Sequence, residues 1–210
     1  MNPTGLPALA FDVIVADPPW PFAVRGANGH GKSPEAYYRT MPLAEIAALR
    51  LGDLLRPGGI MLLWGTGPLL DEQMALLKAW GLRYVSFAIW PKRTLSGKLR
   101  WGPGYRSRTL CEPILMGVAP GDTRGGARWN GARFPNFLEA IAEAAVDGLA
   151  REHSRKPDEF YSLVEACTPG AARADIFTRE TRPGWVSWGD EVGRFDNVVP
   201  IGRMVGEGWG

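Results

Sequence analysis

Four consecutive residues, Asp17-Pro18-Pro19-Trp20, put a carboxylate, two rigid carbonyls and an aromatic plane into one short stretch. Each proline fixes φ and removes a backbone donor, so the local carbonyls are expected to be free to accept from a ligand. A carboxylate and a carbonyl can each take one N–H of an exocyclic amine on a flat ring. The amine lone pair, otherwise delocalised into the ring, then localises and becomes nucleophilic. The same acceptors stabilise the positive charge that develops on nitrogen. Transfer of a methyl group from a sulfonium needs no strong general base first. It needs amine, methyl and sulfur held in line. Trp20 is expected to stack on the ring, an interaction worth about 1–3 kcal/mol. By themselves these four residues leave the amine unnamed: an adenine, a cytosine, a side-chain amide or a small molecule would fit. The competing structural reading is a strand-ending turn with Trp20 in the core.

The elements that must position the motif can be read around it. Residues 11–16, FDVIVA, are rich in β-branched types and too apolar for an exposed face, so they read as a strand inside a parallel sheet. Residues 21–36 are Gly-, Asn- and Pro-rich and read as a long loop. Pro42 opens a helix with Leu43, Ile46, Ala47 and Leu51 on its apolar face. Pro57-Gly58-Gly59 is a turn into a strand over 60–64. Pro68 starts a second helix, with Leu70, Met74 and Leu77 on one face and Gly81 as its stop. Strands follow over 82–90 and 110–118, expected to be antiparallel across the intervening loop. Residues 137–149 fit either a helix or a helix and a short strand. Pro157 begins a helix with Asp158 and Glu159 in its first turn, favourable against the dipole, and with Phe160, Tyr161 and Val164 buried. Strands over 173–177 and 185–188 complete the pattern. Alternating strands and helices imply an α/β layered domain with a mainly parallel sheet and one antiparallel hairpin. The carboxyl ends of such strands are where ligands bind, and Asp17 stands at one. The expectation is one domain over 1–210, with its core at about 11–195 and the Gly-rich stretch 196–210 as a loose tail.

Composition narrows the class. With 210 residues, 45% of them hydrophobic, the chain can bury a sizeable core. No apolar run approaches the roughly 20 residues of a membrane helix, and no secretory signal pattern opens the sequence. Two cysteines, Cys111 and Cys167, and two histidines give no metal-ligand spacing and no disulfide framework, which fits reduced thiols in a cytoplasmic protein. Net charge is only +2, but its distribution is uneven. Lys92, Arg93, Lys98, Arg100, Arg106 and Arg108 lie between Pro91 and Cys111 with no acid among them, and Trp101 and Tyr105 are interleaved. A second acid-free stretch carries Arg124, Arg128, Arg133 and Trp129. Cations with interleaved aromatics suit phosphate attraction and base stacking, although a solvated surface loop has the same composition.

The motif and its spacing resemble the MT-A70 family, which includes the catalytic subunit that forms N6-methyladenosine in eukaryotic messenger RNA and many bacterial and phage members. The resemblance runs over about residues 11–195. Tyr38-Arg39-Thr40-Met41 is similar to the family's Tyr-x-Thr-Met, whose tyrosine lies in a substrate-side loop. Gly104-Tyr105-Arg106-Ser107-Arg108, followed by Glu112, resembles its second active-site loop. His153-Ser154-Arg155-Lys156-Pro157-Asp158-Glu159 matches a highly specific block. Asp175-Ile176-Phe177-Thr178-Arg179 is similar to the strand and arginine of its cofactor site. Gly184-Trp185 and Trp188-Gly189-Asp190-Glu191 match its closing segment, where Asp190 stands in place of the usual asparagine. The order, catalytic motif first and cofactor strand last, implies a Rossmann-like methyltransferase fold with circularly permuted motifs.

What the resemblance implies is S-adenosylmethionine as cofactor and the N6 amine of adenine as acceptor. Asp17, Pro18, Pro19 and Trp20 would be catalytic. Lys156 would bind the methionine carboxylate, Asp175 and Arg179 the ribose, and Asp190 and Glu191 the adenine side, with Asp17 and Arg182 in the same set. Tyr38, Lys98, Arg100, Trp101, Tyr105, Arg106 and Arg108 would face the substrate. A base in a duplex must be flipped out to reach such a site. The compact form resembles bacterial and phage members, so DNA is expected in preference to RNA, with no metal, no membrane and either a monomer or a homodimer. Two alternatives accompany this expectation: a non-catalytic nucleic-acid-binding partner subunit, and a methyltransferase acting on a different amine.

Overall fold

The computed structural model describes residues 4–21, 40–94, 97–102, 106–121, 134–138 and 155–196. Its strands are β1 (Phe11–Ala16), β2 (Leu55–Trp64), β3 (Arg83–Pro91), β4 (Cys111–Val118), β5 (Arg173–Ile176) and β6 (Trp185–Trp188). Its α-helices are α1 (Leu43–Ala48), α2 (Leu70–Ala79) and α3 (Asp158–Cys167). The strands form one sheet in the order β3-β4-β2-β1-β5-β6. The pairs β1–β2, β1–β5 and β5–β6 are parallel, and β4 runs antiparallel to both β2 and β3. This is the mixed, mainly parallel α/β sheet with an antiparallel hairpin that the pattern implies, and it matches a Rossmann-like methyltransferase fold.

Side chains of β1 alternate between two cores. Ile14 and Ala16 face one layer with Ile46 of α1 and Leu76 and Leu77 of α2. Val13 and Val15 face the other with Phe160, Tyr161 and Val164 of α3. Burial on both faces explains why β1 has no polar alternation. Asp12 is the exception, and the Arg56 guanidinium (2.9 Å) and the Ala172 N–H (2.9 Å) satisfy it.

Three local expectations change. β2 begins at Leu55 rather than after the Pro57-Gly58-Gly59 turn, and the turn becomes an irregularity within the strand. The register jumps from Phe11↔Leu55 to Val13↔Ile60, with Gly58 at φ 74°. On α2 the buried residues are Gln73, Leu76 and Leu77, whereas Leu70 is 42% exposed. The helix turns this face inward because the Gln73 amide oxygen accepts the Thr66 N–H (3.2 Å) just beyond β2. The strand over 173–177 stops at Ile176 because Phe177 takes a left-handed φ of 65°. Most of 137–149 lies outside the described residues.

Both central neighbours of β1 are parallel to it, yet the chain reaches β2 directly and β5 only after the whole hairpin. The connectivity therefore reverses between β1 and β5, and a crevice opens at the carboxyl ends of strands at such a point. Because β4 is antiparallel, its amino end, Cys111 and Glu112, lies on that same edge. Among the described residues no helix is long and apolar enough to cross a membrane.

Candidate active site

The Asp17 N–H donates to the Ile176 carbonyl (3.1 Å), which pins the motif between the ends of β1 and β5. The next residues form a γ-turn in which the Trp20 N–H donates to the Pro18 carbonyl (2.8 Å). The Pro19 carbonyl accepts the Met41 N–H (2.8 Å). The expectation of free carbonyls is thereby corrected: each already accepts one backbone N–H and keeps one lone pair for a ligand. Trp20 is corrected as well. It is only 5% exposed, packs in the core with Ile14, Ile46 and Leu63, and donates its indole N–H to the Trp64 carbonyl (3.0 Å). Its ring is used in packing and does not present a face for stacking.

Lys156, the residue before Pro157 and α3, is buried and reaches across the strand ends. Its Nζ lies 3.0 Å from Asp17 Oδ2, 3.0 Å from Glu112 Oε2, and 4.8 Å from the centroid of the Trp64 ring. The Lys92 ammonium pairs with the other Glu112 oxygen. Four alternating charges, Lys92–Glu112–Lys156–Asp17, thus run from the base of the basic loop to the catalytic motif. Burial by itself would lower the Lys156 ammonium, but Asp17 and Glu112 outweigh it and hold it above the usual lysine range. Burial would likewise raise Glu112, but Lys156 and Lys92 pull its carboxyl down to about 2. For Asp17, burial wins over the pull of Lys156, and its carboxyl sits above the ordinary aspartate value.

On the β5 side, Asp175 is 2% exposed and its Oδ2 has no hydrogen-bond partner. The Arg182 Nη1 lies 3.5 Å from that oxygen. Burial raises the Asp175 carboxyl to about 7 against the opposing pull of Thr178, Arg182 and Tyr161. Arg182 also pairs with Asp158 (3.3 Å) and Glu180 (2.8 Å). Arg179 pairs through Nε with Glu191 (2.9 Å), and Arg194 contacts the same carboxylate. Asp190 is exposed in the turn after β6. Phe177, in its left-handed conformation, packs edge-on against Trp188 (5.4 Å) while the Phe177 N–H donates to the Trp188 carbonyl (2.6 Å). A non-glycine residue in this region stores roughly 1–3 kcal/mol, a cost that clusters at ligand sites.

The sequence motifs are therefore brought to one edge: Asp175 lies at the carboxyl end of β5, Asp17, Arg179, Arg182 and Glu191 follow strand ends, and Lys156 precedes α3. The basic loop springs from the same edge, between Pro91 of β3 and Cys111 of β4. Its residues Lys98, Trp101, Arg106 and Arg108 are exposed, and Arg100 is half-buried. Trp101 is 62% exposed, and the Arg108 guanidinium lies 5.9 Å from its ring centroid. Tyr38 and Tyr105 lie outside the described residues. Sequence reasoning missed the roles of Glu112, Lys92 and Trp64. Glu112 stood only as the residue after a loop motif, and nothing local to it signals two lysine partners.

The described site chemistry fits S-adenosylmethionine. An ammonium with one proton left after two ion pairs suits a carboxylate, and the orphaned Asp175 oxygen is an acceptor for a hydroxyl. Among the described residues no group of three or more His, Cys, Asp and Glu could hold a metal ion.

Comparison with known proteins leads to the same place. The MT-A70 family profile matches residues 11–191. A putative N(6)-adenosine-methyltransferase MT-A70-like of Medicago truncatula is 31% identical over 186 residues, 87% of this chain and 26% of its own length. The N6-methyladenosine RNA methyltransferase MTA1 of Cryphonectria parasitica is 31% identical over 203 residues, 90% of this chain and 53% of its own. The N(6)-adenosine-methyltransferase catalytic subunit METTL3 of Homo sapiens is 28% identical over 186 residues, 87% of this chain and 28% of its own. This chain spans about a quarter of the plant and human relatives and about half of the fungal one. With the profile covering nearly all of the motif-bearing sequence, the chain belongs to the MT-A70 family.

Proposed function

We propose that this protein transfers a methyl group from S-adenosylmethionine to the N6 amine of adenine in nucleic acid. One observation carries the reading: Asp17 stands at the carboxyl end of β1, paired with buried Lys156, beside the connectivity reversal at β5. The bound cofactor would supply an electrophilic methyl. Asp17 accepts one N–H of the amine, and the remaining lone pair of the Pro18 or Pro19 carbonyl accepts the other. Together they localise the nitrogen lone pair and stabilise its developing charge. Lys156 orients Asp17 and opposes the effect of burial on its carboxyl, with its third proton available to the methionine carboxylate. Asp175, Arg179 and Glu191 surround the ribose and adenine side. The stacking plane for nucleic acid is Trp101, with its exposed ring and adjacent Arg108, rather than Trp20.

The named relatives are described as adenosine or RNA methyltransferases, and nothing among the described residues of the loop favours DNA. The expected preference for DNA is therefore dropped, and the acceptor is adenine in either polymer. Expression in a bacterial host free of adenine methylation, followed by nucleoside mass spectrometry of its DNA and RNA, tests the proposal. N6-methylated adenine in one polymer, lost in Asp17→Ala, is the expected result. No product in either, with the protein folded and supplied with cofactor, would overturn it.

A further inference from the structure

Lys92 opens the acid-free basic stretch after β3, yet its side chain is committed to Glu112. Its backbone is fixed on both sides: the Lys92 N–H donates to the Leu110 carbonyl (2.8 Å), and the Lys92 carbonyl accepts the Arg100 N–H (2.8 Å). Its ammonium pairs with Glu112 Oε1 and stands 5.7 Å from the Trp90 ring centroid. Lys156 repeats the arrangement from the α3 side. Its Nζ lies 3.0 Å from Glu112 Oε2 and 4.8 Å from the Trp64 ring centroid. Trp64 and Trp90 are buried and pack edge-on, with 5.6 Å between centroids. Two ammoniums thus rest against two packed indoles, and one carboxylate bridges them, one oxygen to each.

An ammonium carries three protons. Lys156 pairs with Asp17 and Glu112 at 3.0 Å each, which leaves one proton for a further acceptor. Charge decides what that proton can hold. With Lys92 in place, two ammoniums balance two carboxylates. Without it, Lys156 stands between two carboxylates with one negative charge in excess, and an anion arriving there meets repulsion. Geometry points the same way: a Glu112 released by Lys92 is able to turn both oxygens onto Lys156 and occupy the third proton. We propose that Lys92 is a positioning residue for the cofactor: it holds Glu112 Oε1 and offsets its charge, so that Lys156 keeps a proton and a positive field for the methionine carboxylate. The inference rests on the reading that Lys156 receives that carboxylate. Lys92 acts through Glu112 and not by touching the cofactor. An ion pair that only tied β3 to β4 would affect stability and every ligand alike.

The test compares two ligands by calorimetric titration of the whole chain: S-adenosylhomocysteine and its decarboxylated form, which keeps the adenosine, thioether and amine and lacks only the carboxylate. Wild type is expected to favour S-adenosylhomocysteine by about tenfold or more. In Lys92→Met that preference falls by about threefold to tenfold, while affinity for the decarboxylated ligand stays within about twofold. Lys92→Arg keeps the charge and retains most of the preference. In a Glu112→Gln chain, the same Lys92→Met change is expected to alter the preference by about twofold or less, because the residue it acts through is neutral. Lys92→Gln loses the same charge and serves if Lys92→Met does not fold. An unchanged preference in Lys92→Met, equal weakening of both ligands, a loss in Lys92→Arg as large as in Lys92→Met, or an undiminished effect in the Glu112→Gln chain would overturn the role of Lys92. A wild type that binds both ligands equally would instead overturn the assignment of Lys156 to the carboxylate, and with it the inference. A wild type that binds neither would overturn the proposed function itself.

Discussion

Trp20 shows how a single residue can sit in a catalytic tetrapeptide and still be structural. Its position beside Asp17 invites a stacking role, but its indole is committed to the Trp64 carbonyl and the α1–α2 core. Trp20→Phe is expected to cost about 1–3 kcal/mol of stability, from one lost hydrogen bond and a smaller ring, measured by urea denaturation. Its affinity for adenine-containing oligonucleotides should be unchanged. A stacking residue would give the opposite result, intact stability and weakened affinity. Lys156 carries the complementary lesson. The block around it marks it as functional, yet its two carboxylate partners come from positions 139 residues before it and 44 residues before it, which no local pattern connects.

At the level of elements, the described residues between β3 and β4 are tied together by backbone hydrogen bonds. The Arg100 N–H returns to the Lys92 carbonyl (2.8 Å), Arg93 and Leu99 form an antiparallel bridge, and the Gly102 N–H donates to the Thr109 carbonyl (2.7 Å). Lys92, at the base of this segment, is joined to the site through Glu112. Changing Lys98 and Arg100 together to glutamate is expected to weaken oligonucleotide binding and to reduce the slope of log affinity against log salt by about 2, since each released phosphate contact contributes roughly one. Fluorescence anisotropy across a salt series measures it, and an unchanged slope would count against the loop as a phosphate track. The strands that carry this geometry were largely legible. β1 and the β3–β4 hairpin follow from β-branched and apolar runs, and Pro42 and Pro157 mark the starts of α1 and α3. The buried face of α2 was not legible, because Gln73 faces inward for a hydrogen bond that depends on where β2 ends.

At the scale of the whole molecule, Asp175 and Glu112, both at the carboxyl edge of the parallel strands, give stability a definite pH dependence. Asp175 has a folded value of about 7 against an ordinary 3.8, so between these limits the folded protein holds a proton that the unfolded chain releases. Its contribution to stability therefore falls as pH rises through that window. Glu112 behaves oppositely: its folded value of about 2 against 4.5 adds stability that is complete above the ordinary value and lost as pH falls toward 2. Without cofactor, the melting temperature is expected to decline between pH 5.5 and 7.5, and Asp175→Asn should flatten that decline. A melting temperature in wild type that rises over the same range would contradict it. The sequence by itself determined the alternating α/β elements, the strand-end position of Asp17 and, through resemblance, the residues expected around a cofactor. These are local periodicities and contiguous motifs. Only the tertiary structure decided that Trp20 is core, that the Pro18 and Pro19 carbonyls are already engaged, and that Glu112 and Lys92 join the site. Each of those outcomes depends on sheet order, which brings β1, β4 and β5 to one edge from distant parts of the chain, and pairing between distant strands leaves no periodicity in the sequence.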